Sequence, residues 1–183
     1  IVGVAGAGLM PILEATLVGA IALILLGVLT AREARESIDL DTIIVIAASF
    51  GLGAAMEASG LAARAAELVV AATGGASARG TLLGIVLATV ITTEMITNNA
   101  AAAMLFPIAF ASAEQLGVDP RPFAIAVAVS ASNSFLTPIG YQTNTMVYGP
   151  GGYRFTDYVR VGLPLTLVMI AVTVIATPLI WGF

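Results

Sequence analysis

Long apolar segments alternate with short polar ones along the whole chain. Residues 1–29 are apolar apart from Glu14, and this length is enough for one helix to cross a hydrocarbon core of about 30 Å. Residues 43–56 are apolar but short for a complete crossing, and residues 161–183 form a final apolar segment. The pattern therefore predicts a membrane-spanning helix at each end of the chain, with a short span or part of one between them.

Segments suited to water or to the membrane surface separate these helices. Residues 30–41 carry charges of both signs, which is typical of a helical connector in water. Residues 59–72 place apolar side chains at helical spacing and a charged pair on another face, as an interfacial helix requires. The glycine-rich residues 73–80 predict a turn, and the aromatic residues around 154–160 predict a second interfacial segment.

A polar break divides one apolar region into two arms. Residues 81–91 and 100–113 are apolar, and the segment between them is rich in hydroxyl and amide side chains. Neither arm, at about a dozen to fifteen residues, is long enough to span the membrane alone. We therefore predict a re-entrant helical hairpin over residues 80–115. Its tip consists of Thr97, Asn98 and Asn99.

A second break interrupts the apolar region that follows. Residues 122–153 carry no charged side chain, yet Pro138 and Gly140 prevent one continuous helix. We predict a broken helix over residues 122–149, with two half-helices separated by unwound backbone. The unwound carbonyls must find partners, and three polar side chains stand beside them: Gln142, Thr143 and Asn144. Four polar residues upstream are expected to bond to neighbouring helices instead: Ser130, Ser132, Asn133 and Ser134.

Both breaks suit the binding of ions. A helix N-terminus offers unpaired N–H groups to an anion, whereas a helix C-terminus and unwound carbonyls suit a hard cation. Neutral Thr and Asn side chains supply oxygens to a cation and hydrogen-bond donors to an anion. Two broken membrane segments are therefore typical of a transporter site. The Glu94 carboxylate near the tip can pair, take a proton or point to water, and functional and structural roles are equally favoured.

Each break also has a purely local interpretation. Thr97 or Asn98 can serve as the N-cap of the second arm, because Ser, Thr and Asn are preferred at that position. The second break can be a proline kink whose backbone groups are satisfied by neighbouring helices. One polar residue is enough for a cap, and a kink needs no polar cluster. Three consecutive polar residues at each break therefore favour a binding site.

Composition places the chain in a membrane and excludes several kinds of chemistry. Hydrophobic residues make up 59% of the chain and charged residues 10%, with a mean hydropathy of +1.03, whereas soluble domains carry about 25% charged residues. All seven basic residues are arginine, and the chain has no His or Cys. Histidine metal or catalytic sites, disulfides and thiolate nucleophiles are therefore excluded. The net charge of −4 argues against binding to nucleic acid.

The first residues of the sequence also allow a prediction about a signal peptide. The sequence begins at Ile1, without Met and without a basic segment ahead of its apolar residues. A secretory signal peptide has such a basic segment. We therefore predict no signal peptide, and we expect the sequence to be a fragment of a longer protein.

Two motifs resemble one known family. Residues 93–108 (TEMITNNAAAAMLFPI) are similar to the second Ser-Asn-Thr hairpin motif of the divalent anion:sodium symporters (DASS). Residues 137–149 (TPIGYQTNTMVYG) are similar to the unwound helix of that family, and family-like segments follow at 153–158 and 162–165. The resemblance covers nearly the whole chain, most specifically residues 92–165, and is nearest to the bacterial and algal sulfate-permease branch.

This resemblance implies a fold. Members of the family have an inverted-repeat architecture in which each half supplies one hairpin and one unwound helix. The chain matches only the second half, so residues 1–183 are expected to form a single all-α transmembrane repeat, the C-terminal half of a longer transporter. Its hairpin and broken helix are expected to form one half of the site. The resemblance also implies a homodimer in the inner (plasma) membrane of a bacterium.

The resemblance also implies roles for individual residues. Thr97, Asn98 and Asn99 stand at the position of the substrate-contacting motif, and Tyr141 and Gln142 where the unwound loop approaches substrate. With the neighbouring Thr143 and Asn144, these residues form the predicted anion site. The predicted sodium ligands are Thr93, Asn98 and Gly140. Thr-Asn-Asn replaces the Ser-Asn-Thr motif but keeps oxygen ligands, whereas Gly-Tyr-Gln-Thr-Asn replaces the Thr-Pro-Pro-Asn form of dicarboxylate carriers. The second difference favours sulfate over succinate.

The predicted function is secondary active transport, with sodium-coupled uptake of a small divalent anion, sulfate favoured. Sodium is the coupling ion, no enzymatic cofactor is expected, and the partners are membrane lipid and the N-terminal repeat. Alternatives are a sodium-coupled di- or tricarboxylate carrier, a proton-coupled carrier, or an arsenite-type ion pump. A channel would use the same broken helices, but two hairpin-like breaks favour a carrier. An enzyme is the weakest alternative, because the chain lacks His, Cys and paired intramembrane carboxylates.

Overall fold

The computed structural model describes residues 2–38, 40–73 and 77–183, without the side chains of residues 41 and 42. All regular secondary structure in these ranges is α-helical, which confirms the predicted class. The predicted connector at 30–41 and turn at 73–80 lie partly outside the described residues. The helices are α1 (Val2–Gly6), α2 (Ile12–Leu25), α3 (Ala31–Glu36), α4 (Leu40–Ala58), α5 (Leu61–Ala72), α6 (Ala78–Met95), α7 (Asn98–Leu116), α8 (Arg121–Ala131), α9 (Gln142–Tyr148) and α10 (Phe155–Trp181).

The chain divides into a first unit that ends at Ile44 and a second unit from Val45 to Phe183. In the first unit, the single continuous span predicted over residues 1–29 is wrong. The apolar segment is broken between α1 and α2, where Gly8 adopts a left-handed conformation with φ of 69° and Pro11 precedes the first residue of α2. Proline lacks the N–H that would continue the helix. The 14 residues of α2 are short for a crossing.

The core of the second unit lies between α6, α7, α8 and α10. Small side chains such as Ala109, Ala113 and Ala126 are fully buried there, so the helices approach closely, as is common in membrane bundles. The larger core residues are Leu82, Ile85, Val86 and Val90 of α6, Leu105 of α7, Phe123 and Val127 of α8, and Ile170 of α10. This packing holds α6 and α7 as a helical hairpin joined by residues 96 and 97.

The hairpin helices are longer than the sequence pattern indicates. Helices α6 and α7 contain 18 and 19 residues, about 27–28 Å at 1.5 Å per residue, so the expectation of arms of about a dozen to fifteen residues is wrong. The reason is that threonine is compatible with helix at the end of α6. The Thr92 hydroxyl donates to the Ala88 carbonyl, one turn earlier, at 2.7 Å, and the Thr89 hydroxyl donates to the Ile85 carbonyl in the same way.

Two helices of the described residues, α6 and α10, are long and apolar enough to cross a membrane. A third span is possible by length and composition if two helices are taken together. These are the part of α4 from Ile43 and all of α5, which meet at a bend of 77°. The bend lies at Gly60, whose φ is 70°. The last helix begins at Phe155, so residues 155–160, for which the sequence predicts an interfacial segment, form the first turns of the same helix as the final apolar segment.

Between α8 and α9 the backbone is not helical from residue 132 to residue 141. This segment, called here the unwound loop, lies within the region 122–149 for which the sequence predicts a broken helix. Helix α10 packs directly against it, since a Cβ on Gly162 would overlap the Phe135 carbonyl oxygen and lie 2.6 Å from its carbon. The side chain of Tyr158, also on α10, donates to the Asn144 carbonyl at 2.9 Å. Helix α10 therefore supports the loop and the start of α9.

Candidate functional site

The hairpin tip is a sharp connection between two helices. Helix α6 ends at Met95, Ile96 is extended with φ of −132°, and Thr97 is the N-cap of α7. The Thr97 hydroxyl accepts a hydrogen bond from the Ala100 N–H at 3.3 Å. Thr97 therefore has the capping role that the sequence allowed as an alternative, and its side chain is exposed. The first residues of α7 are Asn98 and Asn99, which point into different surroundings.

Asn98 faces α6 and joins a cluster of three oxygens. The hydroxyl of Thr93, a fully buried residue, lies 2.8 Å from Asn98 Oδ1 and 2.6 Å from the carbonyl oxygen of Ala131. A hydroxyl carries one proton and cannot donate fully to two acceptors. Three oxygens from α6, α7 and the end of α8 thus converge, and an all-oxygen set of this kind suits a hard cation. Two of the three predicted sodium ligands, Thr93 and Asn98, are brought into contact.

Asn99 points away from that cluster. Its side chain is exposed and lines one wall of a cavity of about 770 Å³ whose other walls come mainly from the apolar side chains of α4, α7 and α8. The three tip residues therefore have three different environments. Thr97 caps a helix, Asn98 meets Thr93, and Asn99 borders the cavity.

Gly140, the third predicted sodium ligand, lies in a second cluster. Its N–H donates to the Thr137 hydroxyl at 3.0 Å. A Cβ at this position would overlap the hydroxyl oxygen of Ser134 and lie 2.9 Å from Glu94 Oε2. Only glycine fits this close approach of the backbone to two polar side chains. Gly140 is buried, and the contacts place it beside Glu94.

Glu94 connects the hairpin to the unwound loop. Its Oε1 accepts the Leu136 N–H at 2.8 Å, and its Oε2 accepts the Thr137 hydroxyl proton at 2.8 Å. These bonds link residues 42 and 43 positions apart. The sequence left the role of Glu94 open, and it is the residue that sequence reasoning did not assign to the site. The available signal was its position next to Thr93 at the end of an apolar arm; its partners are visible only in three dimensions.

The first turn of α9 satisfies the carbonyls that the unwound loop frees. The side-chain amide of Asn144 donates to the carbonyls of Ser134 at 2.8 Å and Thr137 at 3.1 Å. The Thr145 hydroxyl donates to the Pro138 carbonyl at 2.8 Å. Both amide hydrogens of Asn144 are thus used within the loop, which leaves its Oδ1 for other contacts.

The remaining predicted anion residues lie at the surface of this unit. Tyr141 is the N-cap of α9, followed by Gln142 and Thr143 in its first turn, and all three are exposed. Their side chains make no hydrogen bond to other described residues. The two clusters around Thr93 and Glu94 meet at the end of α6, since these residues are consecutive. The site thus has a buried oxygen-rich part and an exposed part with free polar side chains.

The sequence of this chain is similar to those of known transporters. The family model described as Citrate transporter matches residues 4–182. An uncharacterized transporter of Synechocystis is 43% identical over 182 residues, which is 100% of this chain and 30% of that protein. Sodium/sulfate cotransporter 1 of Chlamydomonas reinhardtii is 38% identical over 143 residues, 78% of this chain and 16% of that protein.

A third relative, the putative sulfur deprivation response regulator of Chlamydomonas reinhardtii, is 39% identical over 165 residues, 90% of this chain and 28% of that protein. The chain thus spans less than a third of the length of each of these three relatives. The comparisons confirm the resemblance to the divalent anion:sodium symporters and the integral membrane class. The matching family and the relatives from Synechocystis and Chlamydomonas named as transporters describe transport proteins.

Proposed function

Because the chain belongs to the citrate transporter family, we propose that it is the second repeat of a secondary active transporter that couples sodium entry to the uptake of a small divalent anion, with sulfate favoured. The full-length protein is a homodimer in the inner membrane of a bacterium, and its N-terminal repeat completes the site. Hairpin α6–α7, the unwound loop and α9 form this chain's half of that site.

The observation that carries the proposal is the convergence of Thr93 Oγ1, Asn98 Oδ1 and the Ala131 carbonyl oxygen within 2.6–2.8 Å contacts. Sodium binds preferentially to oxygen ligands, and here they come from three separate segments. An ion held among these oxygens stabilises the packing of the tip against the end of α8. Sodium entry is thereby coupled to the geometry of the hairpin.

The anion binds next to this cluster, at the exposed part of the site. The N-terminus of α7 contributes unpaired N–H groups and a positive dipole end. Asn98, Asn99, Gln142 and Thr143 add neutral donors, and Tyr141 adds a hydroxyl. Neutral donors bind an anion reversibly because they add no formal charge. The sodium ion offsets the charge of the anion, so sodium binds first and the anion second.

Alternating access follows from the ties between the hairpin and the unwound loop. Thr93 and Glu94 join α6 to the end of α8 and to residues 136 and 137. The two broken segments therefore move together, as a rigid body, when the binding site changes the side of the membrane that it faces.

Two observations favour different anions. The relatives named Sodium/sulfate cotransporter 1 and Probable sodium/sulfate cotransporter 3 are 38% and 34% identical to the chain, which supports sulfate. The description of the matching family, Citrate transporter, supports a tricarboxylate as the second candidate. The mechanism of coupling is the same for both.

Uptake by vesicles that contain the full-length protein tests the proposal. Labelled sulfate, succinate and citrate are offered separately, with and without an inward sodium gradient. Accumulation of sulfate driven by sodium is the expected result. Accumulation of citrate or succinate instead would retain the coupling but reject the assigned anion. Uptake that is independent of sodium for all three anions would reject the proposed coupling and favour a proton-coupled carrier or an ion pump.

A further inference from the structure

A cavity of about 400 Å³ lies between the unwound loop, α9 and the first turns of α10. The loop contributes Phe135 to its wall, and α9 contributes Asn144 and Val147. Ligand cavities in proteins have volumes of about 300–1,000 Å³. This cavity is therefore large enough to hold part of an organic molecule.

The polarity of the cavity changes along α10. Asp157 and Tyr158 line it in the first turn of the helix, and Tyr153 lines it just before the helix begins. Val161 and Leu165 line it one and two turns further along. The rise from Asp157 to Leu165 is about 12 Å at 1.5 Å per residue. The cavity therefore has a polar end and an apolar end.

This change of polarity matches the position of α10 in a membrane. The helix has 27 residues, so it is about 40 Å long and extends beyond a hydrocarbon core of about 30 Å. Tyr158 lies in its first turn and Trp181 is its last residue, and these residue types are enriched at the two membrane surfaces. The polar end of the cavity thus lies at the level of the lipid head groups, and the apolar end lies deeper.

The polar end has the groups that recognise an organic cation. The rings of Tyr153 and Tyr158 lie edge to face, with centroids 6.0 Å apart and an angle of 80°. Asp157 Oδ2 accepts the Arg154 N–H at 2.8 Å. In residues 2–38, 40–73 and 77–183, no arginine forms an ion pair with this carboxylate. Aromatic faces and a carboxylate both attract an ammonium group.

We propose that this cavity binds a phospholipid whose head group is a primary ammonium, as in phosphatidylethanolamine. The ammonium group pairs with Asp157 and lies against the rings of Tyr153 and Tyr158. One acyl chain follows Val161 and Leu165 into the hydrocarbon. A free amine would occupy only the polar end, whereas this lipid fills both ends of the cavity.

The bound lipid supports the unwound loop and α9 from the side of α10. A Cβ on Gly162 would overlap the Phe135 carbonyl oxygen, and the Tyr158 hydroxyl donates to the Asn144 carbonyl at 2.9 Å. All four of these residues line the cavity. The lipid therefore fills the space beside the contacts that hold the loop against α10. This inference concerns lipid binding and does not rest on the proposed sodium coupling or on the anion.

Two lipids that differ only in their head group test the proposal. Dioleoyl-phosphatidylethanolamine and dioleoyl-phosphatidylglycerol are titrated separately into the purified full-length protein in detergent, and bound lipid is counted by native mass spectrometry. We expect the ethanolamine lipid to bind about tenfold more tightly, as for one contact between charged groups. Asp157→Asn should remove this preference, while the new amide oxygen still accepts the Arg154 N–H. Its unfolding midpoint without lipid should match the wild type.

Asp119→Asn is the matched control. Asp119 also accepts a backbone N–H, from Arg121 at 2.8 Å, but it precedes α8 and is not among the described residues that line this cavity. We expect the wild-type lipid preference for this variant. Tyr153→Phe should also keep the preference. Tyr153→Leu should lower the affinity for the ethanolamine lipid about fivefold, because only an aromatic ring attracts the cation.

Equal affinity of the wild-type protein for the two lipids would overturn the proposal, and so would no binding of either, as when the N-terminal repeat fills the cavity. An unchanged preference in Asp157→Asn, or an equal loss in Asp119→Asn, would also overturn it. If Asp157→Asn does not fold, equal affinity in the two Tyr153 variants has the same meaning. Free ethanolamine that binds as tightly as the phospholipid would reject the lipid as the occupant. The assay contains no sodium gradient and no anion, so failure of the proposed transport would not change its result.

Discussion

Two polar regions of this chain satisfy their hydrogen-bonding groups in opposite ways. The connector around α3 uses partners three or four residues away. The Thr30 backbone N–H and hydroxyl both donate to Glu33 at 2.8 Å, and these bonds hold the pKa of Glu33 below its usual value. Arg32 pairs with Glu36 at 2.7 Å, with side chains that are 84% and 62% exposed. Every one of these bonds joins residues of one short, exposed helix and its N-cap.

The junction of the hairpin and the unwound loop uses partners far away in the chain. Thr93 contacts the Ala131 carbonyl 38 positions later, and Glu94 contacts residues 42 and 43 positions later. Local bonds in water stabilise one turn and contribute little each. Long-range bonds between buried or half-buried groups connect separate elements, so their loss changes the arrangement of those elements. This difference indicates which polar residues carry function.

Asn98→Ala should give the largest effect and would test the junction directly. It removes the oxygen that meets Thr93 at 2.8 Å and one donor for the anion. Two lost contacts of about 1.4 kcal/mol each predict a fall of about 100-fold in sodium-driven uptake, with folded protein still in the membrane. Ser112→Ala is the control, because this buried hydroxyl bonds only within α7, to the Ile108 carbonyl. Normal uptake and sodium affinity in Asn98→Ala would contradict the site.

Gly140→Ala should reduce uptake by about tenfold or more, as expected when overpacking costs about 1–3 kcal/mol. The new methyl group would overlap Ser134 Oγ and lie 2.9 Å from Glu94 Oε2, which forces the loop away from α6. Gly149→Ala is the matched control, since its Cβ would meet nothing within 4 Å and its φ of −69° suits alanine. Equal uptake by the two variants would show that the loop does not need its close approach to Glu94.

Asn144→Ala should affect stability more than recognition. It leaves the carbonyls of Ser134 and Thr137 without their side-chain donor, at a cost of about 1–3 kcal/mol. We expect a lower thermal unfolding midpoint of the full-length protein, measured in detergent. Thr16→Ala, which removes an exposed bond to the carbonyl three residues earlier, should shift the midpoint little. A normal midpoint combined with lost uptake in Asn144→Ala would assign Asn144 to the anion instead.

Arg35→Ala should give the smallest effect and represents the connector. Its guanidinium donates to the Ala31 carbonyl at 3.2 Å, within the same exposed helix. Exposed substitutions of this type change stability by less than about 0.5 kcal/mol. Uptake and the unfolding midpoint should both match the wild type. A strong loss of uptake in this variant would remove the distinction between the two polar regions.

The sequence by itself determined the helical membrane class and the positions of both breaks. Hydropathy is summed over neighbouring residues, and proline and glycine act on their own backbone, so these features are local. The same local reasoning missed the break at Gly8 and Pro11 within residues 1–29. It also did not predict that residues 155–160 continue directly into the last apolar segment as one helix, α10.

Only the tertiary structure decided which polar groups meet. In the folded chain, Thr97, Asn98 and Asn99 lie in three different environments. The side-chain amide of Asn144 donates to a carbonyl of the unwound loop. The tertiary structure also brought Glu94 to residues 136 and 137. Hydrogen bonds across about forty positions depend on how α6, α8 and the loop pack against one another. The energy of that packing is distributed over the whole core, so no short stretch of sequence contains it.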